Sequence, residues 1–120
     1  MARIMISDDS DAIRMVLKDM LTLGDHAVVA EATNGIETVE IFEQAKPDLL
    51  LLDIAMPKKD GKAALLDIMT THPDAKVVMI TASDNMNAIK ECLQRGATTY
   101  ILKPFDSEEL LKVVSDIFQT

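Results

Sequence analysis

The chain has 120 residues, of which 48% are hydrophobic and 27% charged, and its formal net charge at pH 7 is −8. This length is that of one ordinary domain, and the composition is typical of a globular protein. The acidic balance argues against nucleic acid and anionic membranes as partners, because both are bound mainly through clustered lysines and arginines.

Sequence features that depend on the cellular compartment indicate a cytoplasmic protein. No apolar run approaches the roughly 18 residues that a membrane helix needs. The N-terminal segment MARIMISDD has one arginine and turns acidic before any long apolar stretch, unlike a secretory signal. The single cysteine, Cys92, cannot form an intramolecular disulfide, and we interpret it as a small apolar residue on a helix.

Apolar runs and helical periods alternate along the whole chain. In order, the predicted strands are 3–7, 27–32, 48–53, 76–81 and 98–102, which are rich in Val, Ile and Leu and too short for helices. The segments between and after them carry apolar residues at helical spacing. These are Ile13, Val16, Leu17, Met20 and Leu21, then Ile36, Val39 and Phe42, then Leu65, Ile68 and Met69, then Met86, Ile89 and Leu93, and last Leu110, Val113, Val114 and Ile117.

Five strands and five helices in strict alternation predict an α/β fold with a parallel sheet covered by helices on both faces. A central strand of such a sheet is apolar throughout, which explains the four leucines at 49–52. Five strands of this kind commonly take the flavodoxin-like order 2-1-3-4-5, and ligands then bind at the carboxyl ends of strands 1 and 3. We expect residues 1–120 to form a single domain.

Three carboxylates are predicted to meet at that edge of the sheet. Asp8 and Asp9 follow the first strand, and Asp53 ends the third. Like charges about 4 to 6 Å apart repel by several kcal/mol per pair at an effective dielectric constant near 20, so a cation should neutralise them. Mg²⁺ suits a site with two or three protein oxygen ligands. Taken singly, either of the first two can instead cap a helix, and Asp53 can be a turn residue.

Two further strand ends carry polar groups to the same edge. The fourth strand ends at Thr81, and the fifth leads into Lys103. A hydroxyl donor and a fixed cation beside a metal and a carboxylate form a receptor for a phosphoryl group. Alone, Thr81 can be a β-branched strand residue and Lys103 a solvated lysine, so their significance depends on their position.

The motifs DD, LLLLDIAMPKKDG, VVMITA and GATTYILKPF occur in this order over essentially the whole chain. Together they resemble the receiver domain of two-component response regulators, and among these the single-domain chemotaxis regulators. The resemblance implies that Asp53 is the phosphoacceptor for a sensor histidine kinase. It also implies that Asp9, Asp53 and the backbone carbonyl of Ala55 ligate Mg²⁺, or Mn²⁺ in its place, with Asp8 assisting through water.

The resemblance assigns roles to the remaining motif residues as well. Lys103 would pair with Asp53 and then with its phosphoryl group, to which Thr81 would also bond. Tyr100 would rotate inward and signal to a downstream protein through the face of helix 4, strand 5 and helix 5, although it can equally be half-buried packing. The chain must reverse sharply after Lys103, and we predict a cis peptide bond at Pro104.

Three residues depart from the family pattern. Ser7 stands where such domains usually have an apolar residue, and we expect it to loosen the end of the first strand. Ala55 and Ser83 occupy positions that influence hydrolysis of the acyl phosphate in this family. Their small side chains neither block water nor guide it, so the lifetime of the phosphorylated state stays open.

Other classes of protein are less compatible with the sequence. A flavin mononucleotide carrier should have a phosphate-cradling loop rich in Ser, Thr and Gly where this chain has DDSD. Phosphatases with an aspartate nucleophile have a second acid two residues on, where this chain has Ala55. We therefore expect a signalling phosphoacceptor rather than an enzyme. It is either a stand-alone regulator or a receiver excised from a longer regulator with an output domain, and either monomeric or dimeric on phosphorylation.

Overall fold

The structure is a computed structural model that describes residues 1–119, except for the side chain of Ser83. Within these residues, the strands are β1 (Arg3–Ser7), β2 (Ala27–Ala32), β3 (Leu49–Asp53), β4 (Val77–Ala82) and β5 (Thr99–Lys103). The helices are α1 (Asp11–Leu23), α2 (Gly35–Ala45), α3 (Gly61–Thr71), α4 (Met86–Gln94) and α5 (Ser107–Phe118), and a 3₁₀ turn, Ser83–Asn85, precedes α4. None of these helices combines the length and the apolar character that crossing a bilayer requires.

The strands form one parallel sheet in the order β2-β1-β3-β4-β5. The predicted α/β class and the predicted strand order are therefore confirmed. Because β1 and β3 are neighbours whose connections leave in opposite directions across the sheet, their carboxyl ends border the crevice where such folds bind ligands.

Strand β3 explains the run of four leucines. Leu49 to Leu52 have no exposed surface. Side chains alternate along a strand, so Leu50 and Leu52 join the apolar cluster on the α2, α3 and α4 face. Leu49 and Leu51 join the cluster on the α1 and α5 face. The strand is thus covered by apolar side chains on both faces, and its single charged residue, Asp53, stands at its end.

Side-chain caps fix where four of the described helices begin. The caps of α1, α2, α3 and α5, each accepting a hydrogen bond from a backbone N–H in the first turn, are Ser10, Asn34, Asp60 and Asp106. Helix α1 is therefore capped by Ser10. Neither Asp8 nor Asp9 has the capping role that the sequence left open for them.

The buried helix faces are narrower than the sequence predicts. Four residues assigned to those faces are exposed, namely Val16, Ile36, Met86 and Leu93. In α4 the buried side chains are Ile89 and Cys92. The apolar period therefore locates each helix, but only the side chains directed at the sheet lose contact with water.

The expectation that Ser7 loosens the end of β1 is wrong. Ser7 pairs with Ala32 of β2 and with Leu52 of β3, and it is 1% exposed. A strand held on both sides keeps its backbone paired whatever the side chain. The serine at this position has another consequence, because its hydroxyl oxygen is buried and has no hydrogen-bond partner among the described residues.

Candidate functional site

The carboxyl ends of β1 and β3 bring the three carboxylates together. Asp53 is the last residue of β3, and Asp8 and Asp9 directly follow β1. One carboxylate oxygen from each residue lies within 4.8 Å of the other two. Asp8 and Asp53 are buried and Asp9 is exposed, so the acidic cluster opens to solvent on the Asp9 side.

Asp8 is held by hydrogen bonds on both carboxylate oxygens. Its Oδ1 accepts from the backbone N–H of Ser10 at 2.8 Å, and its Oδ2 accepts from Nζ of Lys103 at 3.3 Å. Its own backbone N–H donates to the carbonyl of Ala32 in β2 at 3.1 Å. Asp8 is therefore a fixed, buried negative charge whose oxygens already have partners.

The environment of Asp53 disfavours its charged form. Burial raises the pKa of Asp53 from 3.8 to about 6, and the negative charge of Asp8 adds to this effect. The ammonium of Lys103 lowers the pKa of Asp53 but does not offset the two other effects. A carboxylate kept ionised at neutral pH in such a place is poised to gain from a bound cation.

Lys103, the last residue of β5, reaches into the acidic cluster. Its Nζ lies 3.4 Å from Oδ1 of Asp53 and 3.3 Å from Oδ2 of Asp8. The peptide bond between Lys103 and Pro104 is cis. One ammonium therefore bridges the two buried carboxylates, and the ionised cluster of three acids keeps an excess of negative charge.

Thr81 lies in β4 directly after Ile80, the residue that pairs with Asp53 of β3. It is 2% exposed. Its hydroxyl oxygen accepts a hydrogen bond from Nδ2 of Asn85 at 3.0 Å. Among the described residues, the hydroxyl bonds neither to Asp53 nor to Lys103. The sequence analysis missed Asn85, because the contact depends on the path of a 3₁₀ turn that no apolar period indicates.

The loop after β3 folds back tightly on Asp53. The N–H of Gly61 donates to the carbonyl of Ile54 at 2.7 Å, and a Cβ on Gly61 would lie 2.1 Å from the carbonyl oxygen of Asp53. Only glycine permits this approach. Ala55 lies exposed in the same loop, two residues after Asp53, and its backbone carbonyl is the one oxygen that it can offer a ligand.

Arg14 supports the loop that carries the acidic pair, a contribution the sequence analysis missed. Its Nη1 donates to the backbone carbonyl of Asp8 at 2.7 Å and its Nε to Oε1 of Glu31 at 3.1 Å, and it also pairs with Asp11. The side chain is 12% exposed. An arginine on the flank of a helix gives no sequence signal when its main target is a backbone carbonyl.

The other residues that the sequence singled out lie outside the acidic cluster. Tyr100 is half-buried on β5 and packs against the apolar cluster on the α2, α3 and α4 face of the sheet. Cys92 is fully buried in α4, and burial raises the pKa of its thiol, in keeping with a structural role. The side chain of Ser83 lies outside the part of the chain that the structure describes.

The donor set of the acidic cluster fits a hard divalent cation. All three side chains offer carboxylate oxygens, which Mg²⁺ prefers, and the exposed side at Asp9 leaves room for the water molecules that Mg²⁺ usually retains. Two negative charges 4.8 Å apart, the upper limit of the oxygen separations in this cluster, repel by roughly 3 to 4 kcal/mol at an effective dielectric constant of 20. A divalent charge relieves this repulsion, so the residues present fit Mg²⁺.

Comparison with known proteins identifies the family. The model of the response regulator receiver domain matches residues 4–115. The chain is 38% identical over 114 residues to the chemotaxis protein CheY of Listeria monocytogenes, covering 95% of this chain and 96% of that protein. It is 36% identical over 115 residues to CheY of Thermotoga maritima, covering 96% of each. The chain belongs to the receiver domain family of two-component response regulators.

Solved structures and longer relatives extend the comparison. A chain of the CheX-CheY-BeF3-Mg complex from Borrelia burgdorferi matches with a TM-score of 0.94 and 33% identity, over 98% of this chain and 90% of that one. The receiver domain of a putative response regulator NarL from Mycobacterium tuberculosis matches with a TM-score of 0.89 and 31% identity, over 97% and 94%. The transcriptional regulatory protein DegU of Brevibacillus brevis is 34% identical, but the match covers 50% of its length.

Family membership establishes the general activity. Receiver domains are signalling proteins rather than enzymes with turnover of their own, and phosphorylation and Mg²⁺ binding at an acidic pocket are typical of them. Membership also implies a histidine kinase as phosphoryl donor and a downstream target. Asp8, Asp9 and Asp53 form an acidic group that could hold such an ion.

Proposed function

We propose that the chain accepts a phosphoryl group from a sensor histidine kinase on Asp53 and passes the signal to a downstream protein. The observation that carries this proposal is the position of Asp53, buried at a strand end between Asp8 and Lys103 with Asp9 within 4.8 Å. This arrangement provides a nucleophile, a fixed cation and an open acidic side in one crevice.

In the proposed transfer, a carboxylate oxygen of Asp53 attacks the phosphorus of a phosphohistidine. The new P–O bond forms as the P–N bond breaks, and the bonding electron pair leaves with the imidazole. Lys103, whose Nζ is 3.4 Å from Oδ1 of Asp53, then pairs with the phosphoryl oxygens. A fixed positive charge at this place stabilises negative charge that spreads over those oxygens during transfer.

Asp9, Asp53 and the backbone carbonyl of Ala55 would hold Mg²⁺ directly, and Asp8 would assist through water. The hydrogen bonds on both oxygens of Asp8 support this division, because each oxygen of that buried carboxylate already has a partner, whereas Asp9 is exposed. Bound Mg²⁺, or Mn²⁺ in its place, supplies positive charge to the three carboxylates and to the phosphoryl oxygens.

The signal would leave the site through Thr81 and Tyr100. Thr81 moves to bond a phosphoryl oxygen, and Tyr100 turns inward beside it, which changes the face formed by α4, β5 and α5. The half-buried position of Tyr100 against the core supports a ring with two available environments. In a similar solved structure, CheY forms a complex with CheX; a protein of that kind is a candidate class of target.

We propose that residues 1–120 act as one stand-alone receiver in the cytoplasm, without nucleic acid or membrane as partner. The match to nearly the whole length of the CheY relatives supports this. A receiver from a longer regulator with a DNA-binding or enzymatic output domain is the alternative, supported by the match to half of DegU. The length of the full open reading frame decides between them, and size-exclusion chromatography with and without phosphodonor decides between monomer and phosphorylation-dependent dimer.

Intact mass after incubation with acetyl phosphate and Mg²⁺ tests the proposal. We expect one added phosphoryl group in the wild-type protein and none in Asp53→Asn, where the amide keeps the shape but lacks the nucleophilic oxygen. Asp74→Asn, which changes an exposed acid in the loop before β4, serves as the matched control and should be phosphorylated normally. Normal phosphorylation of Asp53→Asn would refute the assignment.

A further inference from the structure

Helix α4 differs from the other four described helices at its start. The residue in its N-cap position, Asn85, makes no hydrogen bond from its side chain to the first turn of the helix, whereas α1, α2, α3 and α5 all begin with such a bond. Asparagine is among the best capping residues, so the lack of a cap bond here indicates that the carboxamide has another use.

The carboxamide of Asn85 is directed at the site instead. Its Nδ2 donates to the hydroxyl oxygen of Thr81 at 3.0 Å, and the Thr81 hydroxyl in turn has only a long contact, 3.4 Å, to the carbonyl of Ala82. Thr81 is 2% exposed and Asn85 is half-buried, so this bond is partly shielded from water. Among the described residues, Asn85 is the one side chain that bonds to the Thr81 hydroxyl.

We propose that Asn85 is a positioning residue that holds the Thr81 hydroxyl in its resting orientation and releases it when the site is phosphorylated. This inference rests on the proposed function, in which Thr81 bonds a phosphoryl oxygen. In this proposal the Thr81 hydroxyl moves away from Asn85 as it swings toward Asp53, so its bond to the phosphoryl oxygen forms at the expense of its bond to Asn85.

The binding of beryllofluoride, a phosphoryl analogue, measures this opposition without any turnover. In the presence of saturating Mg²⁺, we expect Asn85→Ala to bind beryllofluoride about two- to tenfold more tightly than the wild-type protein, the range that one neutral hydrogen bond provides. Asn85→Leu, which keeps a branched side chain without the donor, should behave in the same way. Fluorine NMR counts the bound analogue directly.

A double-mutant cycle separates this role from a merely structural one. In a Thr81→Ala background, Asn85→Ala should leave the affinity for beryllofluoride unchanged, because the bond that it removes is already absent. The control Asn87→Ala changes an exposed asparagine in the first turn of α4 and should have the wild-type affinity. The affinity for Mg²⁺ alone should be the same in all these proteins, because neither Thr81 nor Asn85 is an Mg²⁺ ligand.

The outcomes separate the role of Asn85 from the assignment of Asp53 as phosphoacceptor. Tighter binding in Asn85→Ala and Asn85→Leu that depends on Thr81 supports the proposal. If the wild-type protein binds beryllofluoride and both variants bind it equally or more weakly, the role of Asn85 is wrong and the phosphoacceptor assignment still stands. The role of Asn85 is also wrong if Asn85→Ala raises the affinity for beryllofluoride by the same factor in the Thr81→Ala background. A wild-type protein that fails to bind beryllofluoride removes the proposed function and this inference together.

Discussion

At the scale of single residues, Asp53 is expected to reduce the stability of the metal-free protein at neutral pH. Its carboxyl group ionises near pH 3.8 in the unfolded chain and near pH 6 in the folded protein, so the folded state binds more protons between these values. Stability therefore falls as pH rises from about 4 to about 6 and is then constant with respect to this group. In the proposed function, phosphoryl transfer requires this carboxylate.

Replacement of Asp53 by its neutral isostere should remove this pH dependence. We predict that Asp53→Asn is more stable than the wild-type protein by up to about 3 kcal/mol above pH 6, and that the difference vanishes below about pH 4. Urea unfolding with a chelator present, at pH values from 4 to 8, measures both proteins. A difference that stays constant across this range would show that ionisation of Asp53 is not its cause.

Ser7 provides a second prediction about a single residue. Its buried hydroxyl lacks a partner among the described residues, so Ser7→Ala should raise the free energy of unfolding by about 1 kcal/mol. Ser10→Ala should act in the opposite direction, because Ser10 caps α1 and loss of its side-chain hydroxyl lowers the free energy of unfolding by about 1 kcal/mol. Equal losses of stability in both variants would contradict this account of Ser7.

At the scale of structural elements, the connection from β3 to α3 determines the position of Asp53. We predict that Gly61→Ala lowers the free energy of unfolding by about 1 to 3 kcal/mol and slows phosphorylation, because a Cβ would collide with the Asp53 carbonyl. Gly24→Ala is the control, since its Cβ would meet side-chain atoms of Leu111 and His26 rather than backbone atoms. Stability and phosphorylation rate of the two variants, measured together, test this. Wild-type behaviour of Gly61→Ala would contradict it.

The sequence predicts the elements well because their signals are local. Alternating apolar runs located every strand to within one residue, and strict alternation with helices determined the parallel sheet. The sequence predicted the edges of the buried helix faces less accurately. Val16 and Leu93 have the correct spacing, but both are exposed beside the buried side chains. The side of a helix that faces the sheet is determined only in the folded chain.

The site was predictable to the extent that it depends on topology. Carboxyl ends of neighbouring parallel strands meet, so the proximity of Asp8, Asp9 and Asp53 followed from the strand order. The contacts of Arg14 and Asn85 did not follow. One is made to a backbone carbonyl and the other across a 3₁₀ turn, and neither produces a periodic or spaced pattern.

At the scale of the whole molecule, Mg²⁺ binding should stabilise the fold by mass action. A ligand that binds the folded state alone adds about 2.7 kcal/mol at a hundred times its Kd, so the melting temperature should rise with Mg²⁺ concentration. Asp9→Ala should shift the midpoint of this response to higher Mg²⁺, and relief of repulsion should stabilise the metal-free variant. Asp19→Ala, an exposed acid on α1, is the control. An unchanged midpoint in Asp9→Ala would exclude Asp9 as a ligand.

The central claim is that Asp53 itself carries the phosphoryl group, and chemical mapping tests it most directly. After reaction with acetyl phosphate and Mg²⁺, borohydride reduces an aspartyl phosphate to homoserine, and tandem mass spectrometry of the peptides locates that residue in the sequence. We predict homoserine at position 53 alone, with none in protein treated without Mg²⁺. Homoserine at position 8 or 9, or none at any position in protein with an added phosphoryl group, would contradict the account.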